Sequence, residues 1–436
     1  MDWRGASVTR RHLIRGAIAT GVVGGVVACR ASGPAAPAEE GKAHLRLMHN
    51  WTTTQIHSQA MADLVREYTS ANPQTEVEME YSPSGAPYVV KLQSLLAGGT
   101  PPNVATLLLD FLPTFSKPPA LANLEKLLSA RDLAKADLFE GPQKSVSAEG
   151  GIIGLPYIST NVAAQVNLTA FQRAGMPPPR EDWTWEDLTN SAKRLTRQEE
   201  DGKSFYGVNL PWGAGVTTAQ HWLAALWQAD GEVLDRNGSK ASFHGEAGID
   251  ALQLWVDLLN AHRAAQPSTA QIDFNKGDMA IGPNWVGAVG ATLKASPPFD
   301  WTTLPLPRKK QSATTLSGHA LTVLKDAPAP AASARFVSWF TSGPQLARFN
   351  AQTTTLPPRR SAQAHKVWQE LVSSTPQLKA YSDSMQFARA APIHARWTDM
   401  GEVIAGAVNK AMKLESSPRS ALGDAARQVD QLLAQA

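Results

Sequence analysis

The apolar positions along the chain keep two different periods. From Ala43, apolar and polar residues alternate through His44-Leu45-Arg46-Leu47-Met48, the period of a strand. From about Ser58 to Ser70, Met61, Leu64, Val65 and Tyr68 recur at helical spacing, and Asn72-Pro73 ends the run. Thr75 to Tyr81 alternates again. Tyr88 to Ala97 predicts a second helix stopped by Gly98-Gly99, and Val104 to Leu109 a buried strand ending at Asp110. Strand, helix, strand, helix, strand predicts a parallel α/β sheet, which takes ligands outside the carboxyl ends of its strands. Trp51, Thr53 and Asp110 fall at such ends.

The chain is organised around residues 150–195. GGIIGLPYI predicts a short apolar strand closed by Pro156, and NVAAQVNL a second run. Proline cannot donate to a sheet ladder, so the backbone is expected to bend or leave its sheet there. Ser159, Thr160 and Asn161 lie just past the bend. They are expected to line a cleft where the chain crosses between two lobes. Leu168 to Ala174 predicts a short helix, and Thr184 a helix cap with Asp187 in the capping-box position. Helices are also expected over 217–229, 246–262 and 420–434. Trp222 and Trp227 fall mid-helix and are expected in the core. Trp212 lies on a glycine-flanked loop after a strand and is a candidate ligand contact.

Composition narrows the class. With 436 residues, 43% apolar and 18% charged, the chain is globular and long enough for sizeable cores. The net charge of +3 resides in residues 1–28, where Arg4, Arg10, Arg11 and Arg15 face Asp2, so the remainder is balanced. A balanced body argues against a nucleic-acid surface. Thr9 to Arg15 resembles a twin-arginine export signal, followed by an apolar run and Val26-Val27-Ala28-Cys29, which resembles a lipobox. The expectation is a signal peptide over 1–28, lipidation of Cys29, and a tether over 29–42 rich in Ala, Pro, Gly and Glu. Cys29 is the sole cysteine, so no disulfide forms within the chain.

Several motifs occur in order: Lys91 to Val104 (KLQSLLAGGTPPNV), GIIGLPY before Gln165-Val166-Asn167, FQRAGMPPPREDWTWEDL, and FNKGDMAIGPNW ending at Trp285. FDWTTLPLP, Leu356-Pro357-Pro358-Arg359, Phe387 to Pro392 and the last helix follow. Together they resemble extracellular solute-binding proteins of bacterial ABC transporters, in the carbohydrate-binding branch that includes maltose-, trehalose- and glycerol-phosphate-binding members. Val166 stands where the family has Tyr, and Asn103 where it has Asp. The resemblance implies an α/β, periplasmic-binding-protein-like fold of type II, two α/β lobes joined by a multi-segment hinge. Lobe 1 is then 43–156 plus 311–355, and lobe 2 is 157–310 plus 356–436.

The resemblance also implies site residues. Asp110 stands where members hydrogen-bond a sugar hydroxyl, though a helix cap or turn residue is an equal reading. Trp285 stands where members stack a sugar ring, with a core Trp as the other reading. Gly318 and His319 replace a ligand-facing Gly-Gly or Gly-Trp, and a lone His could equally be a satisfied core group. Arg389, Arg396 and Trp397 match a segment that supplies a cleft residue. The tally of thirteen Trp against six Tyr suits a ligand with ring faces, since sugar C–H faces pack on aromatic planes. Trp51, Trp212, Trp285 and Trp397 are candidate planes, and Thr53, Asp110, Thr160, Asn161, His319 and Arg389 candidate polar partners.

The expected function is a substrate-binding lipoprotein of an ABC importer. It would take a sugar or oligosaccharide between its lobes and deliver it to the permease subunits. It is expected to be exported, monomeric, and held to the membrane only through Cys29, without nucleic acid, metal or cofactor. A glycerol-phosphate or glycerophosphodiester receptor is the alternative within the fold, through Arg359, Arg389 and Arg396, since guanidinium suits phosphate. A surface sensor or adhesin is another. A secreted glycoside hydrolase fits less well, because it needs two carboxylates at the cleft and the sequence places only Asp110. No G-x-S-x-G, H-E-x-x-H or P-loop occurs.

Overall fold

In the computed structural model, which describes residues 42–115, 119–148, 151–213 and 215–435, one ten-stranded mixed sheet runs through the molecule. The predicted signal peptide and Cys29 lie outside these residues, as does the tether except Lys42. The strands are β1 (Ala43–His49), β2 (Thr75–Tyr81), β3 (Val104–Leu108), β4 (Ser147–Ala148), β5 (Gly151–Ile152), β6 (Leu155–Asn167), β7 (Arg197–Gln198), β8 (Ser204–Val208), β9 (Met279–Trp285), β10 (Trp301–Leu304), β11 (Thr314–Val323) and β12 (Ala388–Ala390). The order is β2-β1-β3-β11-β6-β9-β8-β7, with β10 on β6 and β12 on β11. β4 and β5 form a separate pair. β1 pairs in parallel with β2 and β3, as the opening pattern predicts.

The organising stretch behaves differently from its prediction at Pro156. β6 is one unbroken strand of 13 residues, and Pro156 sits second in it, opposite Ala320 of β11. The ladder accommodates the missing N–H by slipping. His319 faces Ile158 and Ala320 faces Pro156, so Tyr157 has no opposite number, a β-bulge at the proline. The crossing lies further on. β6 pairs with β11 as far as Asn161, and with β9 from Val162. Where β11 departs, the Thr314 hydroxyl donates to the Val162 carbonyl at 2.6 Å and so continues the ladder by a side chain.

Two hydrophobic cores sit along this sheet. The first takes Leu45, Leu47 and Met48 of β1, Val104 and Leu107 of β3, Tyr157 and Ile158 of β6, and Leu321 and Val323 of β11. The second takes Ala164 and Val166 of β6, Ile281 of β9, and Trp222, Leu223, Leu226 and Trp227 of the Val216–Gln228 helix. The two helical tryptophans are therefore core, as expected. The segment 356–388, expected in the second lobe, instead buries Leu356, Trp368, Tyr381 and Met385 in the first core. The Trp185–Leu195 helix carries the predicted capping box between Thr184 and Asp187. The 246–262 helix is regular over Glu246–Val256 and widens to a π turn at Asp257–Ala261. No described helix is long and apolar enough to cross a membrane. Gly41–Ala436 is a single unit, so the two cores belong to one body.

Candidate functional site

A cavity of about 440 Å³ opens beside the antiparallel ladder of β6 and β11. Its walls include Trp51 after β1, His57 of the Ile56–Ala71 helix, Leu108 of β3, Thr160 of β6 and Ser317 to His319 of β11. Gly287 and Gly290 of the Gly287–Ala295 helix and Thr353 to Thr355 also line it. The strand ends predicted to receive a ligand thus supply Trp51 and Leu108. The crossing supplies Thr160.

Aromatic rings dominate one wall. Trp51 stacks on His57 with centroids 4.2 Å apart and lies 4.8 Å from His319. Its Nε1 donates to the Tyr157 hydroxyl at 2.9 Å, which fixes the plane of the indole. Burial, helped by the charge His57 would carry, pushes His319 down to about 3, so this imidazole is neutral at any physiological pH. Its Nδ1 has no partner among the described residues, and its Nε2 lies 3.4 Å from the Asn50 amide. Burial also lowers His57. Gly318 serves packing, because a Cβ there would come within 2.1 Å of the Ile158 carbonyl oxygen.

A second group adjoins the cavity. Asp110 follows Leu108 by two residues, and Trp285 precedes Val286 of the cavity wall. Asp110 accepts a hydrogen bond from Gln220 Nε2 at 3.0 Å, joining the turn after β3 to the Val216–Gln228 helix of the second core. Burial raises the carboxyl to about 6, and the Gln220 bond opposes that rise only in part. His221, next to Gln220, lies nearly perpendicular to Trp285 with centroids 5.6 Å apart and bonds the Thr217 carbonyl through Nδ1.

The other predicted residues lie elsewhere. Trp397 is 1% exposed in the second core, because it starts the Trp397–Met412 helix with its ring turned inward. Trp212 rests against the same core and donates to the Gln266 carbonyl at 3.2 Å. Thr53 is exposed outside the cavity. Asn161 is buried and donates to the Tyr381 carbonyl at 2.9 Å. Arg389 pairs with Glu232 at 2.5 Å and covers the face of Trp227, in a separate groove lined by Glu140 and Lys144. Arg359 is buried and donates to the carbonyls of Thr341, Ala134 and Leu133, while Arg396 pairs with Asp399. Sequence reasoning missed His57, Gln220, His221 and Thr353 to Thr355. His57 sits in the first turn, and Gln220 just past the first turn, of the helices that follow the loops carrying Trp51 and Trp212, which was the available signal.

No group of three or more His, Cys, Asp or Glu among the described residues could hold a metal ion. Among the described residues, the cavity wall carries no Asp, Glu, Lys or Arg. It can offer aromatic faces, hydroxyls and neutral imidazoles, which suits an uncharged polar ligand.

Comparison with known proteins places the chain in a group. It is 27% identical over 259 residues to a probable amino-acid ABC transporter periplasmic-binding protein of Sinorhizobium fredii, over 56% of this chain and 56% of that one, so it spans little more than half of that relative. It is 26% identical over 316 residues to an uncharacterized lipoprotein of Streptomyces antibioticus, covering 64% of this chain and 67% of that one. The crystal structure of a cyclic α-maltosyl-1,6-maltose binding protein from Arthrobacter globiformis superposes with a TM-score of 0.82 at 26% identity. That match covers 91% of this chain and all of the other. The fold is the two-lobed α/β fold of type II periplasmic binding proteins. Residues 63–380 match the bacterial extracellular solute-binding protein family, and the chain belongs to it.

Proposed function

We propose that this chain is the substrate-binding component of an ABC importer, that it takes a neutral carbohydrate at the cavity around Trp51, and that it delivers the sugar to a membrane permease. The observation that carries the reading is a wall of rings and hydroxyls in which no described residue bears a charge. A sugar presents C–H faces to rings and hydroxyls to fixed polar groups. The Arthrobacter protein, whose fold this chain shares, binds a cyclic maltosyl-maltose. In our reading Trp51 stacks a sugar ring and Thr160 and His319 exchange hydrogen bonds with its hydroxyls, while Asp110 and Trp285, outside the wall itself, are contacts at its edge.

The charged alternatives lack free partners. A phosphodiester or an amino acid needs a cation for its anionic group. Arg359, Arg389 and Arg396 are each engaged by protein groups. In this proposal the lobes exchange near 161, 313–316 and 390, and ligand binding favours the conformation in which both halves touch it. Residues 1–28 direct export and Cys29 carries a lipid, leaving a monomeric receptor outside the cytoplasmic membrane.

A thermal-shift panel tests the ligand class. Maltose, cyclic α-maltosyl-1,6-maltose, glycerophosphocholine and free amino acids are each added to the purified chain. A compound at a hundred times its dissociation constant stabilises by roughly 2.7 kcal/mol. A shift with a neutral sugar alone is expected. A shift with glycerophosphocholine or an amino acid alone would sink the reading.

A further inference from the structure

The Gly343–Thr353 helix ends on three consecutive threonines, and the middle one is conformationally anomalous. Thr354 adopts φ 54° and ψ 43°, the left-handed region. That position ends helices commonly, and glycine is its usual occupant because a Cβ is penalised there. Seven non-glycine residues have positive φ among the described residues, and Thr354 is the β-branched one. A β-branched side chain in this region is a genuine outlier.

Its neighbours show what holds it. Thr353 and Thr355 lie 2.8 Å apart through their hydroxyls, and the Thr355 hydroxyl donates to Asn350 Oδ1 at 2.7 Å. Asn350 Nδ2 in turn donates to the Tyr157 carbonyl at 3.0 Å, and the Tyr157 hydroxyl receives Trp51 Nε1. The threonine loop is therefore tied to the same strand that orients the Trp51 indole. Two of the three hydroxyls are spent on this network. The Thr354 hydroxyl has no hydrogen-bond partner among the described residues, and Thr354 lines the cavity beside Trp51, His57 and His319.

We propose that Thr354 is a specificity-determining contact, held in a strained backbone conformation so that its hydroxyl meets a hydroxyl of the bound carbohydrate. The inference rests on the carbohydrate reading of this cavity. Strained residues persist where surrounding structure over-determines them, and they cluster at ligand sites. Here Asn350, Thr353 and Thr355 do the holding. Glycine would satisfy the backbone better and would remove the hydroxyl.

The experiment compares Thr354→Gly, Thr354→Ser and Thr354→Val with the wild type. It measures the melting temperature without ligand and the affinity for whichever of maltose and cyclic α-maltosyl-1,6-maltose binds the wild type more tightly. Thr354→Gly is expected to raise the melting temperature by about 1 °C, since relief of left-handed strain is small against the unfolding entropy of so long a chain. It is also expected to weaken sugar binding roughly fivefold, the loss of one hydrogen bond. Thr354→Val should weaken binding similarly without a rise in melting temperature, and Thr354→Ser should keep the affinity. Unchanged affinity in both the glycine and the valine variants would overturn the inference, and so would a melting temperature that falls in Thr354→Gly. Failure of the carbohydrate reading shows separately, as a wild type that binds neither sugar. The ligand-free melting temperatures still judge the strain in that case.

Discussion

Gln220 Nε2 donates to Asp110 at 3.0 Å, and this bond ties the first core of the protein to the second. The acceptor is a carboxyl that burial raises to about 6, so the bond is made by a group near its titration midpoint in mildly acidic conditions. Two consequences can be measured, one on stability and one on conformation.

On stability, the folded Asp110 holds its proton up to a higher pH than the unfolded one. Its contribution is fully present below about pH 4 and is lost as pH rises to 6 and beyond. Asp110→Asn is therefore expected to stabilise the protein at pH 7, by on the order of 2 kcal/mol, and to leave it unaffected near pH 4. Chemical denaturation at both pH values checks this. A stability loss at pH 7 would mean that the carboxylate is better solvated than its surroundings indicate.

His319 has the opposite sign in the same window. It is pushed down to about 3, so the unfolded chain binds the proton first, and its contribution fades as pH falls through 6.5 toward 3. His319→Gln is expected to flatten the acid limb of the stability profile, whereas Asp110→Asn steepens it. Parallel melting curves from pH 4 to 7 distinguish the two. Identical profiles would contradict both assignments.

On conformation, Gln220→Ala removes the bond between the cores. The ligand-free protein is expected to scatter as a more expanded particle. Sugar affinity is expected to fall by about three- to tenfold, as one hydrogen bond across the closed form is lost. An unchanged radius of gyration would show that the Asp110–Gln220 bond plays no part in closure.

The arginines separate ligand class from folding. Arg389→Ala should leave binding of any neutral sugar unchanged, because Arg389 is engaged by Glu232 and Trp227 in a groove apart from the cavity. Arg359→Ala should destabilise the fold by roughly 3 kcal/mol, since the carbonyls of Thr341, Ala134 and Leu133 would each lose a charged donor in a buried setting. Urea denaturation and sugar titration of both variants supply the numbers.

The opening strands and helices were legible because each keeps its own period over its whole length and ends at a local stop such as Asn72-Pro73 or Gly98-Gly99. The capping box at Thr184 was legible because it is local. Pro156 misled because a proline reads as a break, whereas β6 absorbs it in a bulge that depends on β11, more than 150 residues away in sequence. Trp397 misled for a related reason. Its ring looks available from the chain, but the helix it starts turns it into the second core. Arg359 likewise read as a free cation, and three carbonyls that no local pattern predicts take its donors. Of the cavity residues missed from sequence, His57 is placed by its stacking on Trp51, and Thr354 by the hydrogen bonds its neighbours Thr353 and Thr355 make with each other and with Asn350, rather than by any motif.

In this proposal an uncharged sugar stacks on Trp51, whose plane is set by Tyr157 and one of whose faces is occupied by His57. The most direct measurement is a calorimetric titration of cyclic α-maltosyl-1,6-maltose, and of maltose, into the wild type and into Trp51→Ala. At least one sugar is predicted to bind the wild type, and Trp51→Ala to bind it tenfold or more weakly, about 1.4 kcal/mol of lost stacking. Wild-type affinity retained in Trp51→Ala, or binding of glycerophosphocholine in place of both sugars, would show that Trp51 is not the stacking surface of a sugar site.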